Sequence, residues 1–278
     1  MAINERDIAD IVRSVLKGMA NGETAAPQSG AASSGTLMGI FDTADEAIAA
    51  AKAAQKEIQP MPLEFREKII SNIRKKTLEN AKMLSEMAVE ETGMGNVGHK
   101  IIKHQLVAEK TPGTEDLTTI AWSGDRGLTL TEMGPWGVIG AVCPSTNPTC
   151  TVICNSIGMI AAGNSVVFMP HPSAKNCSNL AIDMVNRASV EVGGPANIAT
   201  AVKERTMDVS SYIFKHKDID LLCATGGPGV VTSVLSSGKR AMGAGAGNPP
   251  VLVDETANIP KAAEDIIKKR PGDAAPVC

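Results

Sequence analysis

The sequence predicts an α/β fold in which helices pack on a parallel sheet, and three observations carry that reading. Residues 134–172, GPWGVIGAVCPSTNPTCTVICNSIGMIAAGNSVVFMPHP, read as strand, turn, helix and strand. Val138 to Val142 and Ser165 to Met169 are short apolar runs bounded by Gly and Pro, and residues 149–162 between them carry apolar side chains at helical spacing. The strand and helix patterns then continue to alternate toward the C-terminus. Composition agrees: the 278 residues include only two Trp, one Tyr and four Phe, which suits layers packed through small and β-branched side chains.

Taken in order, Asn4 caps a helix whose Ile8, Ile11, Val12, Val15, Leu16 and Met19 form one apolar stripe, so residues 1–20 read as an amphipathic helix. Residues 21–35, NGETAAPQSGAASSG, lack periodicity and read as a flexible tether of roughly 20 Å span. The detached helix either folds back on its own protein or offers its stripe to a groove on a partner. From Asp42 to about Glu109 the pattern is helical, broken at Pro60 and Pro62 and again at Gly93 and Gly95. Its Met-rich stripe, with Leu78, Met83 and Met87, reads as core rather than as a cofactor feature. His99 and His104, five residues apart, fall on different faces and do not share a metal. Residues 128–132 alternate as an exposed strand, an arm that pairs outside the core.

The central unit is a βαβ motif, whose ligand lies at the carboxyl ends of the strands. Pro144, Ser145, Thr146 and Asn147 and then Pro170, His171 and Pro172 are therefore the residues expected to face it. Beyond it, residues 176–192 read as helix, 198–202 as strand, 207–214 as helix, 219–224 as strand, 228–236 as helix and 251–254 as a final strand. Gly226, Gly227 and Gly229 follow a strand and open a helix, the arrangement in which backbone amides receive a phosphate. They match no strict G-x-G-x-x-G, and taken alone they read first as a tight turn; their place at successive strand ends is what points to a nucleotide site. His216, between Lys215 and Lys217, reads as a solvated turn residue.

Totals exclude several classes. A formal net charge of −3 without a basic stripe argues against nucleic acid. No apolar run reaches a bilayer-spanning length, and Glu5, Arg6 and Asp7 stand where a signal peptide needs its apolar core, so a cytoplasmic protein with no membrane association is expected. The six cysteines show no paired framework and read as small, buried, reduced thiols. Cys150 and Cys154 share a helix face, yet nothing is spaced to complete a metal set, so no metal is expected.

Pro135-Trp136-Gly137-Val138, Pro144 to Pro148, Ala161 to Val167, Pro170-His171-Pro172, Ala224 to Gly229 and Gly243 to Asp254 together resemble the aldehyde dehydrogenase superfamily. More narrowly, they resemble the CoA-acylating acetaldehyde and propionaldehyde dehydrogenases of ethanolamine and propanediol bacterial microcompartments. The resemblance implies a Rossmann-like NAD-binding domain of the aldehyde dehydrogenase fold over residues 36–268, preceded by N-terminal helices. It also implies NAD held by Pro144, Ser145, Thr146, Pro170, His171, Pro172, Gly226, Gly227 and Gly229, with Thr146 or Asn147 near the developing oxyanion. A cysteine thiolate would attack a short-chain aldehyde, hydride would pass to NAD, and the thioester would be transferred to coenzyme A.

The N-terminal helix is similar to an encapsulation peptide. That similarity implies a microcompartment shell protein as partner for residues 3–19, a place in the microcompartment lumen, and a homo-oligomer for the complete protein. Hydrolytic relatives carry Glu-Leu-Gly-Gly-Lys with a general-base Glu, whereas Gly243 to Gly247 here has no carboxylate, as a thiol acceptor requires. They also carry Lys-Pro-Ser at the cofactor ribose, where this chain has Met169-Pro170-His171. The family's second, catalytic half is expected to be missing, and residues 269–278 form an atypical tail ending in Cys278. Cys278 falls at about the spacing of the nucleophile but without its context. The chain thus reads either as the enzyme, with Cys278 as nucleophile, or as a catalytically silent nucleotide-binding and shell-docking fragment.

Overall fold

The structure is a computed structural model and describes residues 37–269, except 246, 248 and 249. The expected docking helix over 1–20, the tether over 21–35 and the tail beyond 269, Cys278 included, lie outside the described residues.

After a two-residue strand β1 (Ile40–Phe41), α1 (Ala44–Ile58) opens with a capping box: Thr43 Oγ1 accepts from Glu46 N–H, and the Glu46 carboxylate accepts from Thr43 N–H. Pro62 precedes α2 (Leu63–Thr92), which ends at Gly93 in the left-handed region with φ 66°. Asn96 then caps α3 (Val97–Lys110), its Oδ1 accepting from Gly98 and His99 N–H. The expected helical stretch is thus three helices, broken where Pro and Gly break it. In α2, Ile69, Ile70, Ile73 and Leu84 are buried as expected, but Leu78 and Met83 are exposed, so the stripe is narrower than its apolar residues suggest.

β2 (Ile120–Gly124) and β3 (Gly127–Thr131) form an antiparallel ribbon exposed along its whole length, with Trp122, Leu128 and Leu130 all more than half exposed. The expected strand therefore exists, together with a partner that the sequence did not announce. The central unit follows: β4 (Val138–Val142), α4 (Pro148–Ala161) and β5 (Ser165–Met169), with β4 and β5 parallel from Val138 opposite Ser165 to Val142 opposite Met169. Asn164 Oδ1 accepts from Trp136 and Gly137 N–H, tying the start of one strand to the approach of the other.

Beyond it come α5 (Lys175–Glu191), β6 (Ala199–Val202), α6 (Met207–Lys215), β7 (Leu221–Thr225), α7 (Pro228–Leu235), β8 (Ala241–Ala244) and α8 (Ile259–Lys269). The six-stranded sheet has the order β1-β6-β5-β4-β7-β8, and every pairing in it is parallel. β5 is buried on both faces, as a central parallel strand should be. Val166 and Phe168 join the core made with α2, α4 and α5, while Val167 and Met169 join the core made with α1 and α6. Each such side chain contributes roughly 1.5–3 kcal/mol on burial, so the strand is anchored from both sides.

Three expectations need correction. Residues 251–254 form no strand: Leu252 is 94% exposed, nothing among the described residues pairs with it, and the edge strand is Ala241–Ala244 instead. Of the cysteines, Cys143, Cys150 and Cys177 are buried, but Cys154 is exposed and Cys223 half-buried. His216 is not a solvated turn residue; its side chain is 13% exposed, its Nδ1 accepts from Asp218 N–H, and Nε2 lies 3.3 Å from Asp45 Oδ1.

Candidate functional site

The chain leaves the centre of the sheet in one direction through β4, β5 and β6, then returns to the other side of β4 through β7 and β8. Loops after β4 and β7 therefore diverge, and a crevice opens between them at the carboxyl ends of the strands. Val142 stands opposite both Met169 and Ala224, so these strand ends are level. A cleft of about 1280 Å³ occupies this place. Pro144, Ser145, Thr146 and Asn147, then Pro170, His171 and Pro172, and Gly226, Gly227 and Gly229 all line it. Its outer walls come from α6, with Ser210 and Phe214, and from α7, with Val230 and Ser233. Sequence reasoning missed these wall residues, because serines on an amphipathic helix read as a wet face.

The two helices that start at the crevice share a feature. α4 and α7 each begin with Pro at the first position, and neither Asn147 nor Gly227 caps its helix with a side chain. The amides of Thr149 and Cys150 in α4, and of Gly229 and Val230 in α7, thus lie among the unpaired donors of a helix start. α5 differs: Glu91, reaching from α2, accepts from Asn176 N–H at 2.8 Å and Cys177 N–H at 2.7 Å. A carboxylate already neutralises that helix start. A Cβ built on Gly227 or Gly229 meets nothing within 4 Å, so the backbone there faces open space that a ligand can approach closely. Open amides, a positive helix end and a bare backbone fit a pyrophosphate.

Beneath the β4–α4 corner lies a polar cluster that the sequence did not announce. Lys100 and Lys103, one turn apart on α3, are only 3% and 6% exposed. Lys100 Nζ donates to the Thr146 carbonyl at 2.9 Å, and Lys103 Nζ to Asn147 Oδ1 at 3.0 Å. His104, fully buried, places Nδ1 2.8 Å from the Lys100 carbonyl and Nε2 2.9 Å from Thr149 Oγ1. Burial pushes its pKa down to about 4, so the ring is neutral at pH 7. A neutral ring satisfies these contacts with Nδ1–H donating to the Lys100 carbonyl and toward Ser85 Oγ at 3.0 Å, and Nε2 accepting from the threonine hydroxyl. Lys100 and Lys103 thus hold the Thr146 carbonyl and the Asn147 side-chain oxygen at the start of α4.

Burial pushes the thiols of Cys143, Cys150 and Cys177 well up, Cys150 and Cys177 to about 12, although Lys100 and Lys103 partly offset this at Cys150. None of the three supplies a thiolate at neutral pH. Among the described residues no group of three or more His, Cys, Asp or Glu is placed to hold a metal ion. No helix among them is long and apolar enough to cross a membrane.

The chain is similar to known proteins in sequence and in fold. The acetaldehyde dehydrogenase (acetylating) of Bilophila wadsworthia is 52% identical over 271 residues, which is 96% of this chain and 56% of that protein. The structure of a propionaldehyde dehydrogenase from the Clostridium phytofermentans fucose utilisation bacterial microcompartment is 67% identical with a TM-score of 0.81, covering 83% of this chain and 53% of that one. The Rhodopseudomonas palustris propionaldehyde dehydrogenase with bound CoA and an acylated cysteine is 52% identical with a TM-score of 0.80, again over 83% of this chain and 53% of that one. The chain spans about half the length of the curated relatives it matches. Residues 22–278 match the Aldehyde dehydrogenase family, and the chain belongs to that family.

Proposed function

We propose that this chain is the nucleotide-binding portion of a CoA-acylating aldehyde dehydrogenase, acting on a short-chain aldehyde with NAD and coenzyme A. The carrying observation is the crevice at the switch point, where open helix starts and the lysine-backed Thr146–Asn147 corner meet in one cleft. The relatives' names, acetylating and propionaldehyde-oxidising, support the substrate class.

In this reading the open amides of α7, with Gly227 and Gly229, hold the pyrophosphate, and Pro170, His171 and Pro172 border the adenosine ribose. A nicotinamide nucleotide bound there supplies the hydride acceptor. Lys103 holds Asn147 by its oxygen, which frees the Asn147 amide hydrogens for the oxygen of an aldehyde under attack. Thr146 stands at the same corner, its carbonyl held by Lys100. The attacking thiolate is not one of the buried cysteines, and Cys278 is the candidate that the sequence offers. With no carboxylate at 243–247 to activate water, the acyl group is left for the thiol of coenzyme A.

Residues 3–19 serve as the docking helix for a microcompartment shell protein, joined through the tether of 21–35 to the domain of 36–268, and the enzyme then works in the microcompartment lumen. The source of the Clostridium phytofermentans structure supports that setting. The exposed β2–β3 ribbon supports pairing between copies in a homo-oligomer.

The unreactive buried thiols favour a second reading, a nucleotide-binding and shell-docking fragment without turnover. CoA-dependent NADH formation from acetaldehyde or propionaldehyde, measured by absorbance for the chain and for Cys278→Ala, separates the two. Turnover lost in the variant identifies Cys278 as nucleophile. NAD binding without turnover leaves the fragment.

A further inference from the structure

Arg205 sits in the link between β6 and α6, and its Nη2 donates to Asn179 Oδ1 on α5. Nε and Nη1 are buried and have no hydrogen-bond partner among the described residues. No carboxylate among them pairs with the guanidinium either: Glu91 accepts from the amides of Asn176 and Cys177, and Glu204 is exposed. The nearby thiols of Cys143 and Cys177 are pushed up by burial and stay neutral. Burial also pulls the Arg205 pKa down to about 10, which leaves the side chain charged at neutral pH. A buried cation with two unused donors is costly until something joins it.

Beside it is a hollow of about 10 Å³, separate from the large cleft and of a size for one water or one single-atom ion. Ser210 and otherwise apolar side chains complete its wall, Phe168, Pro170, Val202 and Ile213 among them. The Ser210 hydroxyl already donates to the Thr206 carbonyl. These surroundings choose between the two occupants. A water accepts from the guanidinium but brings two hydrogens, and the lining side chains offer them only the Ser210 oxygen. A halide has no hydrogen to satisfy, accepts from both Nε and Nη1, and neutralises the cation. We propose that Arg205 holds one chloride ion in this hollow, as an internal counter-ion that ties the β6–α6 link to the end of β5. Met169 and Pro170 at the end of β5 and Ser210 on α6 line both the hollow and the cleft, so the ion buttresses the cleft wall from behind.

The test is thermal unfolding of the full chain at fixed ionic strength and neutral pH, with gluconate, too bulky for the hollow, exchanged stepwise for chloride or bromide. The unmodified protein and Arg205→Met are compared. In the unmodified chain the melting temperature rises saturably, by about 2 °C or more, with either halide. Arg205→Met has no charge to neutralise and shows no halide-dependent rise. A flat response in the unmodified chain overturns the inference, and so does an equal rise in Arg205→Met, which would place halide binding elsewhere on the protein. Anomalous scattering from bromide-soaked crystals of the unmodified chain locates the ion and is decisive by itself should the variant not fold. Bromide beside Nε and Nη1 supports the site, and a water in its place overturns it. None of these readouts uses the cleft, so the proposed function stands or falls separately.

Discussion

Lys103 Nζ donates to Asn147 Oδ1 at 3.0 Å, from a side chain only 6% exposed. An ammonium offers no acceptor, so this bond fixes which end of the amide is oxygen, and Asn147 Nδ2 is left without a partner among the described residues. Under the proposed function, Lys103 is a positioning residue for the amide hydrogens of Asn147. If the proposed activity holds, Lys103→Met is expected to lower kcat for CoA-dependent aldehyde oxidation by about tenfold or more, because a mis-aimed donor no longer meets the developing charge. The double variant with Asn147→Ala should be no slower than Asn147→Ala alone, since the two act as one unit. Losses that multiply in steady-state kinetics would place Lys103 in some other role.

His104 gives the domain a pH dependence. Burial lowers its folded pKa from 6.5 to about 4, so the unfolded chain binds this proton more readily than the folded one. The stability is fully present above pH 6.5 and is lost as pH falls toward 4, on the order of 3 kcal/mol from this residue. Urea denaturation at several pH values across that window should show the decline. In His104→Gln, which keeps a donor and an acceptor without titrating, the slope should be shallower, and an identical slope would assign the acid sensitivity elsewhere.

Glu91 joins α2 to the start of α5 through two amide hydrogen bonds. Glu91→Ala removes both and leaves the partly buried Cys177 amide without that acceptor, a loss of about 1–2 kcal/mol. Glu91→Gln keeps the acceptor oxygen without the charge and should lose less. The midpoint of urea unfolding at neutral pH reads both, and a neutral outcome for Glu91→Ala would mean that water caps this helix equally well.

How much was legible follows from what each element is made of. β4, β5, β6 and β7 are apolar runs closed by Gly, Pro or a polar turn, and they could be found without a partner in view. The same rule fails at the sheet edge. Ala241–Ala244, AMGA, has no β-branched residue and is a strand only because β7 pairs with it, whereas Val251 to Asp254 has the strand composition and no partner. α8 went unread for a related cause, since it lies past the last strand where no alternation announces it.

At the site, the glycine and proline loops were visible because backbone geometry restricts which residues can occupy them. Lys100, Lys103 and Arg205 were not. A lysine or arginine in a polar stretch reads as a solvated charge, and only the packed chain reveals that α3 turns two of them inward beneath Asn147 and that Arg205 is walled by Phe168 and Pro170. The spacing of the lysines at i and i+3 beside the apolar Ile101 and Ile102 is the one trace in the sequence, and it is shared with many surface helices.

The most direct measurement is calorimetric titration of NAD into the chain and into Gly227→Val. Gly227 has φ −67°, which valine adopts, and a Cβ there meets no atom of the protein within 4 Å, so the variant should keep its melting temperature. The added side chain instead stands where the pyrophosphate approaches the start of α7. The expected result is saturable binding to the unmodified chain, weakened about tenfold or more in the variant. Equal affinity in both, or no binding to the unmodified chain, would contradict a nucleotide site at this switch point.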